Sequence, residues 1–280
     1  MIRTLPNSST YAWGFRLYIV AFFTFLFLPL FVTCVLAFND SQFPALPWNG
    51  FTLDWFSGDL SQRVVIFNDE MNLQSIWISA KVAFFVLIFS TIVGTCATFL
   101  FEQEDFRFKG LLYSPLVIPG VILGISILLF SNTLGLFFEN SVGVDVPLFR
   151  PGFWLEVLGQ FSFITTLVTL GVSARLKKFD RTLEEAALNL DATRFEVIRY
   201  ITLKFLRPAT ISAGAVAFLM SFETFNTTLF LVGSEAILPI NFYLQVRDGS
   251  TPVINAISFL LIVGTSLAAF ANLYFGQKEN

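Results

Sequence analysis

The chain has 280 residues, 55% of them hydrophobic and 13% charged, with a mean hydropathy of +0.72 and a formal net charge of −3. A soluble domain carries about 25% charged residues, so water is not the main solvent here, and the small net charge predicts no nucleic-acid partner. Histidine is absent, which removes the usual imidazole base and the commonest metal ligand, and no catalytic or metal-binding set is expected.

The first apolar run, Leu17 to Phe38, carries no charge. It is longer than the roughly 7–15 residues of a signal-peptide core and lacks a small-residue cleavage site, so it reads as a retained anchor. A membrane-crossing helix needs about 20 apolar residues, because the hydrocarbon is about 30 Å thick. Charges bracket six such runs: Arg16 to Asp40, Lys81 to Glu102, Lys109 to Glu139, Glu156 to Arg175, Arg207 to Glu235, and Asp248 to Lys278. Pro115 and Pro119 should kink the third run or unwind its first turns, and Gly120 and Gly124 beside them suit close helix packing. Cys34 and Cys96 sit inside apolar stretches and read as buried small hydrophobes rather than a disulfide. Lys81, at the start of the second run, is expected to snorkel to the interface.

Basic residues in the loops set the orientation. Arg3, Arg16, Arg107, Lys109, Arg175, Lys177, Lys178, Arg181, Arg194, Arg199, Lys204, Arg207 and Lys278 fall on one side, against Arg63, Arg150 and Arg247 on the other. Both termini are therefore expected in the cytoplasm. The acidic segment 39–73, with Asp40, Asp54, Asp59, Asp69 and Glu70, is expected outside. Trp48, Trp55 and Trp77 suit an outer interfacial belt.

The basic segment 175–207 has helical periodicity. Leu183, Ala186, Ala187 and Leu190 share one face, then Phe195, Ile198, Thr202 and Phe205 another. Thr193 followed by Glu196 is a capping box. The pattern predicts two short amphipathic helices with a sharp turn between them, suited to a cytoplasmic docking partner or to a helix lying on the membrane surface. Further on, Glu223 is the one clear acid inside a span. Glu223, Asn226, Thr227 and Phe230 at i, i+3, i+4 and i+7 would form one polar stripe ending in an aromatic ring. Such a stripe can line a path for an organic cation or hold helices together.

Glu185-Ala186-Ala187, a three-residue spacer, then Asp191-Ala192-Thr193 and the apolar run to Pro208 resemble the "EAA" loop of importer permeases in the ATP-binding cassette (ABC) superfamily. Phe38-Asn39-Asp40-Ser41, Trp48-Asn49-Gly50-Phe51-Thr52 with Trp55, Arg175-Leu176-Lys177-Lys178-Phe179-Asp180 and Pro252-Val253-Ile254-Asn255-Ala256 resemble the second permease of spermidine/putrescine-type importers. The resemblance covers the whole chain. It implies an all-α, six-helix MetI-like permease domain over residues 1–280, in the bacterial inner membrane. Glu185, Ala186, Ala187, Leu190, Asp191, Ala192 and Phe195 would couple to a separate ATPase dimer that binds ATP and Mg²⁺, and this chain itself would hold no cofactor. A second, different permease subunit and an external binding protein are the other implied partners. Acidic residues at the place of Glu223 recur in polyamine-type permeases. Two positions depart from the pattern: Asp191 stands where the family usually has glycine, and Lys204 where it has proline.

Two other classes fit less well. A membrane-embedded enzyme needs convergent nucleophile, base or metal groups, and a secondary transporter with inverted repeats should show a broken sixth span matching the third. No G-x-x-x-x-G-K-[ST] loop is present, so nucleotide hydrolysis must come from another chain.

Overall fold

The computed structural model describes residues 9–57, 66, 69–103, 109–144, 146–249 and 252–276. The charges of Arg3, Asp59, Arg63, Glu102, Arg107, Lys109 and Lys278 used above lie outside the described residues or on side chains that are not described. Among the described residues the chain is helical throughout, with one isolated antiparallel bridge between Asn39 and Phe51. Five helical stretches are long and apolar enough to cross a membrane: Tyr11–Leu36, Glu70–Phe101, Gly120–Val142, Phe153–Leu176 and Arg194–Glu223. A sixth helix, Val253–Gly276, has 24 residues, of which Val253–Leu267 form the described apolar part. Each of the six expected runs falls on helix, the third divided between two helices, Lys109–Val117 and Gly120–Val142.

Residues divide into two compact units, 1–73 with 244–280, and 74–243. In the first, α1 (Ser9–Leu36) packs along α10 (Val253–Gly276). Most of the α1 surface is apolar and exposed, Phe25 at 82%, as suits a helix whose surroundings are hydrocarbon or another apolar chain.

The segment after α1 is tied by one asparagine. Asn39 is 2% exposed. Its Nδ2 donates to the carbonyls of Ala45 (3.3 Å) and Pro47 (3.2 Å), and its Oδ1 accepts from the Asn49 amide (2.9 Å). The Trp55 indole, on the short helix α2 (Asp54–Ser57), donates to the Asn39 carbonyl at 2.9 Å. Phe38 stacks between Phe51 and Phe56 and meets Phe259 edge-on, while Asn255 donates to the Pro44 carbonyl. The family-like motifs around Phe38, Trp48 and Pro252 thus converge on one knot. Trp55, 4% exposed, belongs to that knot and not to an interfacial belt; its N–H has a buried partner, and a belt position would leave it wet.

In the second unit, most of α3 (Glu70–Gln103) packs with α6 (Phe153–Leu176) and α9 (Leu203–Glu223). The seam between them is polar. Ser90 and Thr165 hydroxyls lie 3.3 Å apart, and Thr98 donates to the Thr169 carbonyl at 3.3 Å. Hydrogen bonds of this kind hold helices together where both water and a hydrophobic driving force are missing. The third span is interrupted: α4 (Lys109–Val117) stops before Pro119, and α5 (Gly120–Val142) starts after it. Pro119 has no amide to continue the ladder and pushes Ile118 out of the helical region. Cys34 is half-buried and Cys96 exposed, both unpaired. The expectation that they are buried is corrected: each sits on an outward helix face, where an apolar surrounding suits a thiol equally well.

Replacing Asn39 with Ala strands two carbonyls and one amide at once. The expected loss is on the order of 3 kcal/mol, read as a lower melting temperature in detergent. An unchanged melting point would move the knot's strength to the phenylalanine stack.

Candidate translocation cavity and coupling corner

Two helix breaks meet in the second unit. After Glu223 the backbone leaves the helix at Thr224 (φ −66°, ψ 119°), and a 3-10 turn follows at Thr228–Phe230. The expected continuous stripe is therefore corrected: Glu223, Asn226, Thr227 and Phe230 do not share a helix face. Thr224, Thr227 and Thr228 are β-branched and Asn226 prefers turns, so the local cost of leaving the helix is small. The Thr224 hydroxyl bonds back to the Met220 carbonyl, meeting one of the acceptors freed at the helix end.

The bent segment is seated against α5. A Cβ on Gly120 would lie 3.0 Å from Thr227 Oγ1, and one on Gly124 would overlap the Thr227 carbonyl oxygen. Glycine is required there for close approach. Glu223, Thr224, Asn226 and Thr227 line a cavity of about 490 Å³, together with Pro115 and Ile118 from the other break and Phe163 from α6. Phe230 is not among its walls. Glu223 and Asn226 are exposed, so both face the open side of the bend. The C-terminal end of α9, with its negative dipole end, points to the same place. The arrangement can hold a cation against a carboxylate, an amide and an aromatic ring. Lys81 lies over the Trp77 ring at 5.3 Å.

A second acid in a span was not legible from the sequence. Glu156 borders the fourth apolar run as a charge, yet it sits in the first turn of α6 and is 1% exposed. Neither of its carboxyl oxygens has a hydrogen-bond partner among the described residues. The i, i+4 spacing to Gln160 was its one sequence signal, since Gln160 is also inside the run.

The loop 175–207 folds into a braced corner. Asp180 accepts from both the amide (3.0 Å) and the hydroxyl (2.8 Å) of Thr182, which hold its carboxyl below the usual range and start α7 (Thr182–Asn189). At the other end, the Ala192 amide bonds to the Ala187 carbonyl and the Asp191 amide to that of Leu188. This is a Schellman closure, and it forces Asp191 to φ +64°, the left-handed region that favours glycine. Thr193 then caps α8 (Arg194–Val197): its hydroxyl accepts from the Glu196 amide (3.3 Å), and the Glu196 carboxylate accepts from the Thr193 amide (2.8 Å). The second amphipathic helix is not short, however. It continues through a π-helical turn, Ile198–Thr202, directly into α9.

Three contacts brace the corner. Thr202 donates to Glu184 at 2.7 Å, Phe179 meets Phe205 at 5.1 Å, and the Arg175 guanidinium sits 4.4 Å over the Phe205 ring. They join the end of α6, α7 and the start of α9. On the outside, Glu185 and Ala186 are exposed, and no residue of α7 is buried. Leu190 at 82% and Phe195 at 68% present bare apolar surface beside charges, the composition of a docking face.

Helices long and apolar enough to cross a bilayer, two broken ones meeting at a cavity and a braced corner with an exposed face form the architecture of a membrane transport subunit. Known proteins agree. Over 259 residues the chain is 31% identical to the putrescine transport system permease protein PotI of Escherichia coli (strain K12), covering 90% of this chain and 86% of that protein. It is 29% identical over 267 residues to the spermidine/putrescine transport system permease protein PotC of the same strain, covering 94% and 93%. The fold is that of the inward-facing MetNI methionine ABC transporter (TM-score 0.59, 16% identity, covering 75% of this chain and 96% of that one). It is also that of a bacterial ABC transporter involved in the import of the acidic polysaccharide alginate (TM-score 0.60, 13% identity, covering 98% and 99%). No protein-family model matches the chain. The chain belongs to the family of ABC importer permeases that contains PotI and PotC. It is a multi-pass inner-membrane transport subunit, not an enzyme, and a component that works with other subunits.

Replacing Asp191 with Gly relieves the left-handed backbone and is expected to stabilise the chain by about 1 kcal/mol, while Asp191→Val costs at least as much; thermal unfolding in detergent reads both. Replacing Glu156 with Met removes a buried carboxyl that has no hydrogen-bond partner among the described residues, and keeps its volume. It should raise the melting temperature, by about 1–3 kcal/mol of relieved desolvation; a lower melting temperature would show that the carboxyl has a partner in the folded protein.

Proposed function

We propose that the chain forms half of the translocation path for a small organic polycation of the polyamine class. The observation that carries this is the cavity where both broken helices meet, with the Glu223 carboxylate and the Asn226 amide facing it. Carboxylates within a span cost about 2.5–3.5 kcal/mol on insertion scales and are kept where they meet a pathway or partner. Protonated amines complement such a carboxylate, and the Phe163 ring adds a cation–π surface. The relatives' names point to the same substrate class.

In this reading residues 175–207 lie in the cytoplasm and 39–73 outside, with both termini cytoplasmic. The α7 face, with Glu185, Ala186, Ala187 and Leu190, docks into a separate ATPase dimer, and Asp191, Ala192 and Phe195 form the rim of that contact. ATP and Mg²⁺ belong to the ATPase. A second, different permease subunit supplies the other half of the path, and an external binding protein delivers the cation. The small side chains of Ala186 and Ala187 let α7 sit deep in a groove, and the braces to α6 and α9 carry its displacement into two spans.

Glu223→Gln keeps shape and hydrogen bonding but removes the charge. In proteoliposomes holding the complete transporter, putrescine or spermidine uptake should fall about 10–100-fold, the loss of one charge-assisted contact, with assembly unchanged. Unaltered uptake kinetics would take Glu223 out of the path. Ala186→Phe should instead abolish co-purification of the ATPase while the permease stays folded; retained ATPase would place the docking face elsewhere.

A further inference from the structure

We propose that Gln160 is the positioning residue that sets the bend presenting Glu223 and Asn226 to the cavity. It rests on the reading of that cavity as the cation path. Gln160 lies in α6 and is 0% exposed. Both ends of its amide are engaged. The Oε1 atom accepts from the Ser221 hydroxyl, and Nε2 donates to Thr228 Oγ1 at 3.1 Å. Ser221 is in the last turn of α9 and Thr228 opens the 3-10 turn, so one side chain bridges the two sides of the helix break. Ser221 and Thr228 are themselves 2% and 0% exposed, with no water to take over if the amide is lost.

The bridge needs a donor and an acceptor a fixed distance apart on one stiff group, which among uncharged side chains of this length only glutamine supplies. From below, Gly120 and Gly124 leave room for Thr227 but give it nothing to hold. From the far side, the Gly152 amide bonds to the Leu231 carbonyl at 2.9 Å, downstream of the turn. Among the described residues, the side-chain hydrogen-bond tether that spans the break between Ser221 and Leu231 is therefore Gln160. Without it, the apolar, helix-compatible run on either side can draw Thr224–Thr227 back toward helix, which would carry Asn226 around the axis by about 100° per residue of added turn.

The role separates from simple helix glue, because glue would change stability and leave the bend where it is. The test uses the full transporter reconstituted in proteoliposomes, with Cys34 and Cys96 changed to Ala and a reporter Asn226→Cys. The readout is the labelling rate by a small, positively charged, water-soluble thiol reagent, which needs no substrate. Gln160→Met is expected to change that rate at least about 10-fold, while the rate at a control Tyr200→Cys on the exposed π turn stays constant. Thr228→Val should reproduce the change, and the double variant should be no worse than either single one, as for two groups sharing one interaction. A melting-point drop with an unchanged rate at Asn226→Cys would overturn the proposal, and so would additive effects of Gln160→Met and Thr228→Val. Loss of polyamine uptake through Glu223→Gln is decided separately, so failure of the substrate reading and failure of the Gln160 role give different results.

Discussion

Hydrocarbon offers no partner to a free backbone amide or carbonyl, and this one constraint shapes the second unit. A helix can stop inside a bilayer only where the freed groups find protein. Both interruptions obey it. Pro119 has no amide to strand, and the Leu123 amide takes up its carbonyl at 3.0 Å. At the end of α9 the Thr224 amide reaches the Ser221 carbonyl, its hydroxyl reaches the Met220 carbonyl, and Gln160 of the neighbouring helix takes the side-chain groups on both sides. Irregular backbone at this depth is expensive, so its presence beside a cavity is what singles out the site. The same chain keeps its other spans regular.

The corner at residues 175–207 solves a different problem. No residue of α7 is buried, so burial does not hold that helix in place. Local hydrogen bonding does the work instead: an Asp180–Thr182 start, a Schellman end and a Thr193–Glu196 box. Each belongs to a few consecutive residues. The long-range braces, Glu184 to Thr202 and Arg175 to Phe205, then fix the corner to the spans. Accepting Asp191 at φ +64° shows that the turn is imposed by this arrangement and not by the residue's own preference.

These two halves differ in how far the sequence announces them. Thr193 and Glu196 are three residues apart, and capping is decided within that distance, so the box was readable directly. The left-handed turn at Asp191 was legible only through the resemblance, since the family usually has glycine there. The bend after Glu223 was not legible. Phe225, Leu229, Phe230 and Leu231 continue an apolar run that periodicity counts as helix, and the groups that favour leaving it, Gln160, Gly120 and Gly124, are distant in sequence. Glu156 failed for a related reason: a charge at the border of an apolar run normally marks its end, and only packing shows that this one is inside. Trp55 was misplaced because an indole at an interface and an indole hydrogen-bonded to Asn39 look alike until the fold brings residue 39 near. Propensity, capping and hydropathy are local quantities. Pathway geometry is built from long-range contacts.

The two functional ends are connected by a single element. Arg194–Glu223 is a continuous helical stretch of 30 residues, about 45 Å at 1.5 Å per residue. Its first turns belong to the braced corner, and its last residue is the carboxylate at the cavity. The π turn at Ile198–Thr202 lies on the corner side, where Thr202 is tied to Glu184. Beyond it the helix continues from Leu203 to Glu223, with Pro208 inside it leaving one carbonyl of the ladder without an amide. In the proposed coupling, a displacement applied at α7 is carried along this helix to the bend. Two discrete positions of such a rod, rather than graded deformation, are what a close-packed helix pair permits. In the proposed coupling the bend at Thr224 is where that motion becomes a change of exposure for Glu223, and its geometry is held by buried amide and hydroxyl groups as well as by apolar contact.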